Sequence, residues 1–204
     1  MLVNKPSSRN LFITLSIAMG VVIIVSNYLV QFPINKFNLQ NILTYGAFSY
    51  PITFLINDLA NRRFGKKEAR KLVYIGFSVG ILLTTLISTN FKDVISIRIA
   101  LGSGTAFLVA QLIDIEIFQR LRNKVWFVAP LTSSISGSIV DTFLFFSISF
   151  LGTGIPWVTL AFGDLLVKFL MALLMLIPFR LLIIKIHDLN VGTNIRTKKL
   201  LRKY

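Results

Sequence analysis

Five of the eight acidic residues, Asp58, Asp114, Glu116, Asp141 and Asp164, fall within or at the edge of apolar stretches long enough to cross a membrane. A charge at mid-bilayer costs roughly 2.5–3.5 kcal/mol on insertion scales, so such acids face a protein interior or a wet cavity and are kept for a task. A buried acid can pair with a cation, accept the donors of a polar solute, or carry a proton. Spacing sorts the five. Asp58 is four residues before Arg62, Glu116 four before Arg120 and Asp164 four before Lys168, which brings opposite charges onto one helix face. Asp114 and Asp141 have no cation at i±3 or i±4, only Gln111 and Ser138 three residues earlier. Each of these two needs a partner from outside its own helix: Lys168, a substrate or a coupling proton. They are the leading candidates for a solute site. Gln111, Ser138, Ser134, Lys168, Asp58 and Asp164 are its further candidates. Glu116 lies about 200° around the helix from Asp114, so it belongs to an interfacial pair with Arg120 instead. Asp58, within a turn of a basic connection, is either structural or a gate. Counted from Trp157, the Asp164–Lys168 pair lies roughly 10–17 Å into the apolar core.

The elements that hold these residues are membrane helices. Hydrophobic residues make up 54% of the 204, Phe alone contributes 18 and mean hydropathy is +0.74, more apolar surface than a soluble domain of this size has use for. Six segments near the ~20 residues a spanning helix needs lie at about 11–31, 42–61, 70–89, 97–119, 126–150 and 155–180. Leu11–Ile34 is uncharged, too long for a signal-peptide core, and no small-x-small cleavage site follows it, so it reads as an uncleaved first helix. The expectation is a single all-α domain over residues 1–204, a polytopic bundle of six transmembrane helices with a basic tail over about 187–204.

The net charge of +14 is distributed as the positive-inside rule expects, not as in a nucleic-acid-binding chain. Lys5 and Arg9 precede the first segment. Arg62, Arg63, Lys66, Lys67, Arg70 and Lys71 lie between the second and third, and Arg120, Arg122 and Lys124 between the fourth and fifth. Lys185, Arg196, Lys198, Lys199, Arg202 and Lys203 follow the last. The alternate connections hold only Lys36, then Lys92 with Arg98, then no cation in Leu151–Trp157. Both termini are therefore expected in the cytoplasm, with the tail against anionic lipid. Trp126 and Trp157 mark opposite interfaces. Pro51 falls inside the second segment, where a kinked Tyr50–Thr53 stretch can line a cavity; a harmless kink is the other reading.

Small and hydroxylated residues gather near the acids. Gly102–Ala106 opens the fourth segment, and Thr132–Ser138 fills the first half of the fifth. Close helix packing explains most of them. Ser134 and Ser138, a turn apart on the face of Asp141, are the exceptions. A weak repeat, Gln111–Asp114–Phe118 against Ser138–Asp141–Phe145, would place a motif opposite itself across a helical hairpin. The chain has no Cys, and its one histidine, His187, lies beyond the last apolar segment. No catalytic set, metal site or cofactor is expected, and the chain is read as a non-enzyme.

Further residues carry a resemblance. The run Tyr50-Pro51-x-Thr53-x-x-x-Asn57-Asp58-x-x-Asn61-x-x-Phe64-Gly65-Lys66-Lys67-x-Ala69-Arg70 resembles the signature of the queuosine precursor transporter family, also called the vitamin uptake transporter family. Ala106-Phe107 through Gln111, Asp114 and Phe118, then Ser134 to Asp141 and Lys168 to Ala172, continue it. The resemblance implies a six-helix protein of the bacterial inner membrane that imports 7-deazaguanine precursors such as preQ0 and preQ1. It also implies that Asp58, Gln111, Asp114, Asp141 and Lys168 are the family's polar positions. A 7-deazaguanine offers N1–H and an exocyclic NH₂ as parallel donors that match one carboxylate, with faces for an aromatic ring; Phe107 and Phe143 are candidates for that ring. Alternating access, with a proton at Asp114 or Asp141 as candidate coupling ion, is the leading mechanism. The alternative is a capture subunit docking on a separate ATPase complex; partners beyond the substrate and the bilayer, including a homo-oligomer, stay open.

Overall fold

The computed structural model describes residues 8–29, 32, 34, 43–87 and 94–201. In the order of the chain, its helices are α1 (Ser8–Leu29), α2 (Gly46–Ser49), α3 (Ile52–Phe64), α4 (Lys66–Ile87), α5 (Val94–Leu121), α6 (Val128–Phe150) and α7 (Trp157–Leu201). Lys5, Lys36, Lys92, Arg202 and Lys203 lie outside the described residues, as do the side chains from Lys185 onward, His187 included.

Among the described residues four helices are long and apolar enough to cross a membrane: Arg9–Ser26 within α1, Ile97–Leu121 within α5, all of α6, and Trp157–Ile184 within α7. The chain is a multi-pass membrane protein. The expected second segment is broken in two. Pro51 has no N–H to continue the ladder from α2, and the chain turns through Tyr50 before α3 starts, with Thr53 donating from both its N–H and its Oγ1 to the Tyr50 carbonyl at 3.0 and 2.8 Å. The ladder is therefore interrupted at Pro51, although Tyr50 (φ −58°, ψ −40°) and Pro51 (φ −59°, ψ −17°) both keep right-handed helical dihedrals. At the other end of α3, Gly65 adopts φ +86°, a left-handed conformation open to glycine, and α4 starts on the next residue. The third segment starts earlier than expected, at Lys66, because Lys66–Lys71 extend the helix as a charged first turn and a half. Pro178 does not end α7, which runs on to Leu201, past the expected boundary near 180.

The bundle is apolar outside and polar inside. Ile13, Ile17, Val21 and Val25 form an exposed stripe along α1, as do Phe162, Leu166, Leu170, Leu173 and Ile177 along α7. In contrast, Thr53, Asn57, Asp58, Asn61, Gln111, Asp114, Ser133, Asp141 and Lys168 are buried. In water this arrangement would expose large apolar patches and desolvate charge; lipid reverses the sign of the first penalty. Apolar packing completes the interior in two clusters, one where α1, α3, α4 and α5 meet around Met19, Leu72 and Phe107, the other around Leu59, Phe118, Ala129 and Phe179.

Small residues let the central helices close up, as the Gly and Ser content suggested. A Cβ on Gly102 of α5 would lie 2.5 Å from Ser149 Oγ and 3.3 Å from the Phe145 carbonyl of α6. A Cβ on Gly137 of α6 would lie 2.5 Å from Phe54 Cε1 and 3.3 Å from the Ala110 carbonyl. Arg98 fastens the far end of the same pair by donating Nε to Ile148 O at 2.9 Å and Nη2 to Leu151 O at 2.8 Å, a cation on the last carbonyls of α6. Gly137→Val is expected to destabilise the protein by about 1–3 kcal/mol through overpacking. Gly20→Ala, whose Cβ meets nothing closer than 3.4 Å, should leave stability unchanged or raised. Thermal unfolding in detergent compares the two.

Candidate functional site

Three polar groups meet inside the bundle. The first is built around Lys168 of α7, which is 4% exposed. Its Nζ lies 2.7 Å from Asp141 Oδ2, 2.5 Å from Asp164 Oδ2 and 3.0 Å from Thr142 Oγ1, so all three ammonium protons have acceptors. Thr142 donates in turn to Asp164 Oδ2 at 2.8 Å, and Tyr50 OH donates to Asp141 Oδ1 at 3.1 Å. The ammonium also lies 5.4 Å from the centroid of the Tyr50 ring. One cation thus joins α6, α7 and the Tyr50 turn, with two carboxylates around it. Of the outside partners open to Asp141, the structure supplies Lys168, and the Asp164–Lys168 pair expected from spacing is present.

The second group is Asp58 of α3. Its i+4 partner on sequence grounds, Arg62, points elsewhere: Arg62 Nη1 donates to Arg122 O at 2.5 Å while Arg122 Nη2 donates to Arg62 O at 3.3 Å. This reciprocal clasp leaves the Asp58 carboxylate to α6, where Ser133 Oγ donates to Oδ1 at 3.2 Å and Ser134 Oγ to Oδ2 at 3.3 Å. Ser134 belongs to Asp58 rather than to Asp141.

The third group lies between α3 and α5. Thr53, Asn57 and Asn61 recur every four residues and form one polar stripe on α3. Asn57 Nδ2 donates to Asp114 Oδ2 at 2.9 Å and to the Gln111 carbonyl at 3.3 Å, Asn61 Nδ2 to the Ile115 carbonyl at 3.0 Å, and Gln111 Nε2 to Thr53 Oγ1 at 2.9 Å. Asp114 and Gln111 therefore share a face, as their spacing requires, but that face is turned to α3.

Between α3, α6 and α7 a narrow cleft remains, open at its mouth, with enclosed room for about one water molecule. Its polar lining is Asp58, Ser134, Ser138 and Lys168; Pro51, Phe54, Met175 and Phe179 are among the apolar residues. Four of the candidate residues thus line one cleft. Asp141 and Asp164 stand behind Lys168 and hold it, while Gln111 and Asp114 are buried outside the lining. Glu116 is on another side, as the 200° offset requires, with Arg120 at 3.5 Å and Lys66 of α4 closer at 2.5 Å. Of the two phenylalanines picked as stacking partners, Phe143 is 64% exposed on the lipid face and cannot stack on anything in the cleft. Phe107 is buried against the edge of Tyr50, with centroids 6.3 Å apart. The repeat is not used symmetrically: Phe118 is fully buried against Phe179, whereas Phe145 packs on its helix neighbours Phe146 and Phe150. Among the described residues no cluster of three metal-ligating side chains occurs.

Tyr50, Ser133, Thr142 and Met175 were not singled out by spacing. Ser133 sat within a serine-rich run, and Thr142 beside Asp141, but only the tertiary contacts distinguish them. The Thr53–Asn57–Asn61 stripe was readable from its period of four.

Comparison with known proteins adds a family. A profile described as "Putative vitamin uptake transporter" matches residues 44–183. The chain is similar to the "Probable queuosine precursor transporter" of Haemophilus influenzae, with 33% identity over 206 residues that cover 86% of this chain and 87% of the relative. The "Queuosine precursor transporter" of Escherichia coli is 32% identical over 176 residues, covering 77% and 79%. A "Probable queuosine precursor transporter" of Bacillus subtilis is 27% identical over 156 residues, covering 65% and 68%. No solved structure matches the chain at a significant level.

Removing one partner of a buried ion cluster strands the other, at about 3–5 kcal/mol. Lys168→Met is expected to fall in that range, and adding Asp141→Asn and Asp164→Asn should recover most of the loss. Thermal unfolding of the single and triple variants measures both.

Proposed function

From the premise that the chain belongs to the vitamin uptake transporter family, the family of the queuosine precursor transporters, we propose that it imports 7-deazaguanine precursors of queuosine across the bacterial inner membrane. The names of its relatives support the substrate class. The observation that carries the reading to this chain is a cleft whose polar lining is one carboxylate, one ammonium and two serine hydroxyls.

The lining matches a 7-deazaguanine in its chemistry, and the cleft between α3, α6 and α7 has to widen to admit the ring. The parallel N1–H and exocyclic NH₂ donors meet the two oxygens of Asp58, while Ser138 donates to O6; Lys168, whose three protons are taken by Asp141, Asp164 and Thr142, offers that edge its charge and not a further hydrogen bond. Ser133 and Ser134 hold the Asp58 carboxylate in the orientation this needs. Phe54 and Phe179 supply apolar faces for the ring. Asp141 and Asp164 keep Lys168 charged and aimed, and an aminomethyl substituent on the base would add a cation for either acid. A base lacking the paired donors leaves Asp58 buried and unmatched, which is how such a site discriminates.

Six crossings fit the helices: α1, the broken α2–α3 pair, α4, α5, α6 and α7. The basic residues Arg62, Arg63, Lys66, Lys67, Arg122 and Lys124 gather at the α3–α4 and α5–α6 connections, which supports the reading that those connections and both termini face the cytoplasm. Alternating access requires α7 to part from α3 on one side and then the other, since the cleft lies at their shared boundary.

The test is queuosine in tRNA of cells that cannot make the precursor, fed each 7-deazaguanine in turn. Expression of this chain should restore queuosine with at least one of them; failure with all sinks the reading. Asp58→Asn removes a charge-assisted pair worth about 1.5–3 kcal/mol, so uptake should fall about 10- to 100-fold at unchanged membrane insertion. Asp141→Asn should lower it as well, and Phe143→Ala, on the lipid face, should not. Normal uptake in both Asp variants would overturn the site.

A further inference from the structure

The Lys168 cluster and the cleft leave one buried acid without a role. Asp114 is fully buried, and its Oδ1 has no hydrogen-bond donor among the described residues. Its carboxyl group is within hydrogen-bonding reach of that of Asp58 and of the Ser133 hydroxyl, whose single proton is shared with Asp58 Oδ1 and the Pro130 carbonyl. Both oxygens of Asp58 already accept from Ser133 and Ser134, and Oδ2 of Asp114 from Asn57.

The cations packed around the pair are engaged elsewhere. On α3, Arg62 bonds the Arg122 carbonyl and Arg63 lies over the Phe64 ring. On α4, Lys66 and Arg70 hold Glu116, and Lys71 holds Glu68; Lys67 is exposed. On α5, Arg120 is with Glu116, and in the turn beyond it Arg122 clasps Arg62. α6 brings only Asp141 as a charged group. On α7, Asp164 and Lys168 face each other, and Arg180 lies over Trp126. The described side chains of α1 bring only Arg9, which is exposed. No cation of the described residues forms an ion pair with Asp58 or Asp114.

Two carboxylates in contact, both out of water and both ionised, repel strongly. A proton between them removes the repulsion and at the same stroke gives Asp114 Oδ1 the donor it lacks. We propose that Asp58 and Asp114 form a proton-carrying pair in which one shared proton is the ion coupled to solute movement. Asp58 borders the cleft and Asp114 does not, so the roles divide. When a solute's donors engage Asp58, the proton resides on Asp114 Oδ1. The O–H bond to Asp58 breaks, the O–H bond to Asp114 forms, and the net charge of the pair stays at minus one. Release of the proton to water leaves two carboxylates in contact, a state relieved by parting α3 from α5 or by drawing in a cation. Protonation is thereby tied to helix packing.

The coupling role rests on the uptake reading; the proton itself does not. It is detectable in the purified full chain in lipid nanodiscs by the infrared C=O stretch of a protonated carboxyl at neutral pH, identified by its shift in D₂O. The band is expected in the wild type and in Glu116→Gln, altered in Asp58→Asn and in Asp114→Asn, and absent when both are changed. Its absence from the wild type, or its survival in the double variant, would overturn the pair. In proteoliposomes with the membrane potential clamped at zero, the steady-state accumulation ratio of labelled preQ1 or preQ0 should rise about tenfold per unit of imposed pH difference for one proton per solute. In Asp114→Asn the ratio of uptake with the gradient to uptake without it should fall to one. Wild-type uptake indifferent to the gradient would overturn the coupling role while leaving the uptake reading intact. Vesicles that take up neither compound sink the uptake reading and the coupling role with it, and the infrared band still decides whether the pair holds a proton.

Discussion

A single buried ammonium organises the interior. Among the described residues Lys168 is the one buried cation, outnumbered there by acids, and α6, its own helix α7 and the Tyr50 turn meet around it through Asp141, Thr142, Asp164 and Tyr50. A charge in that position has few stable surroundings. Any rotation of α7 carries Asp164 with the lysine but takes Nζ away from Asp141 and Thr142 of α6, leaving a buried carboxylate without its cation, so electrostatics helps to fix the rotational setting of α7. The acids thereby place the lysine at the cleft wall, and the lysine sets how far α7 stands from α3 and α6. Site and fold depend on the same contact.

The division of the acids follows from what each helix can offer. Glu116 lies on the rim, where basic residues from two helices reach it, and such a partly exposed cluster contributes little to stability. Asp58 and Asp114 sit where the facing helices bring serine hydroxyls and amides but no cation. An interior so provisioned can bind donors without holding a permanent counter-charge, which suits a surface that must release what it binds.

Much of this was legible in the sequence, and the limits have physical causes. Apolar length and the clustering of Lys and Arg mark membrane helices because lipid imposes those constraints locally, residue by residue. The pairing of Asp164 with Lys168 and the separation of Glu116 from Asp114 follow from helix geometry alone. The Asp58–Arg62 pairing did not form, because the guanidinium reached backbone carbonyls at the end of α5 that no spacing rule can foresee. The same limit explains Ser133 and Thr142: a hydroxyl in a run of hydroxyls is chosen by its neighbour across the interface. Phe143 shows the converse, since eighteen phenylalanines offer no local signal to separate a lipid-facing ring from an inward one.

The window of α7 that spans the membrane is only 17% buried, against 44% for that of α5, although it carries the central lysine. Its apolar seat is confined to a few residues such as Ala172 and Phe179, so the shielded clasp at Lys168 carries a large share of the force that holds it. Shielded charges feel dissolved salt weakly, whereas a long, loosely packed helix responds to the thickness of the layer around it by tilting. The opening of the cleft is therefore governed less by the ionic strength of the medium than by the acyl-chain length of the lipids in which the protein sits.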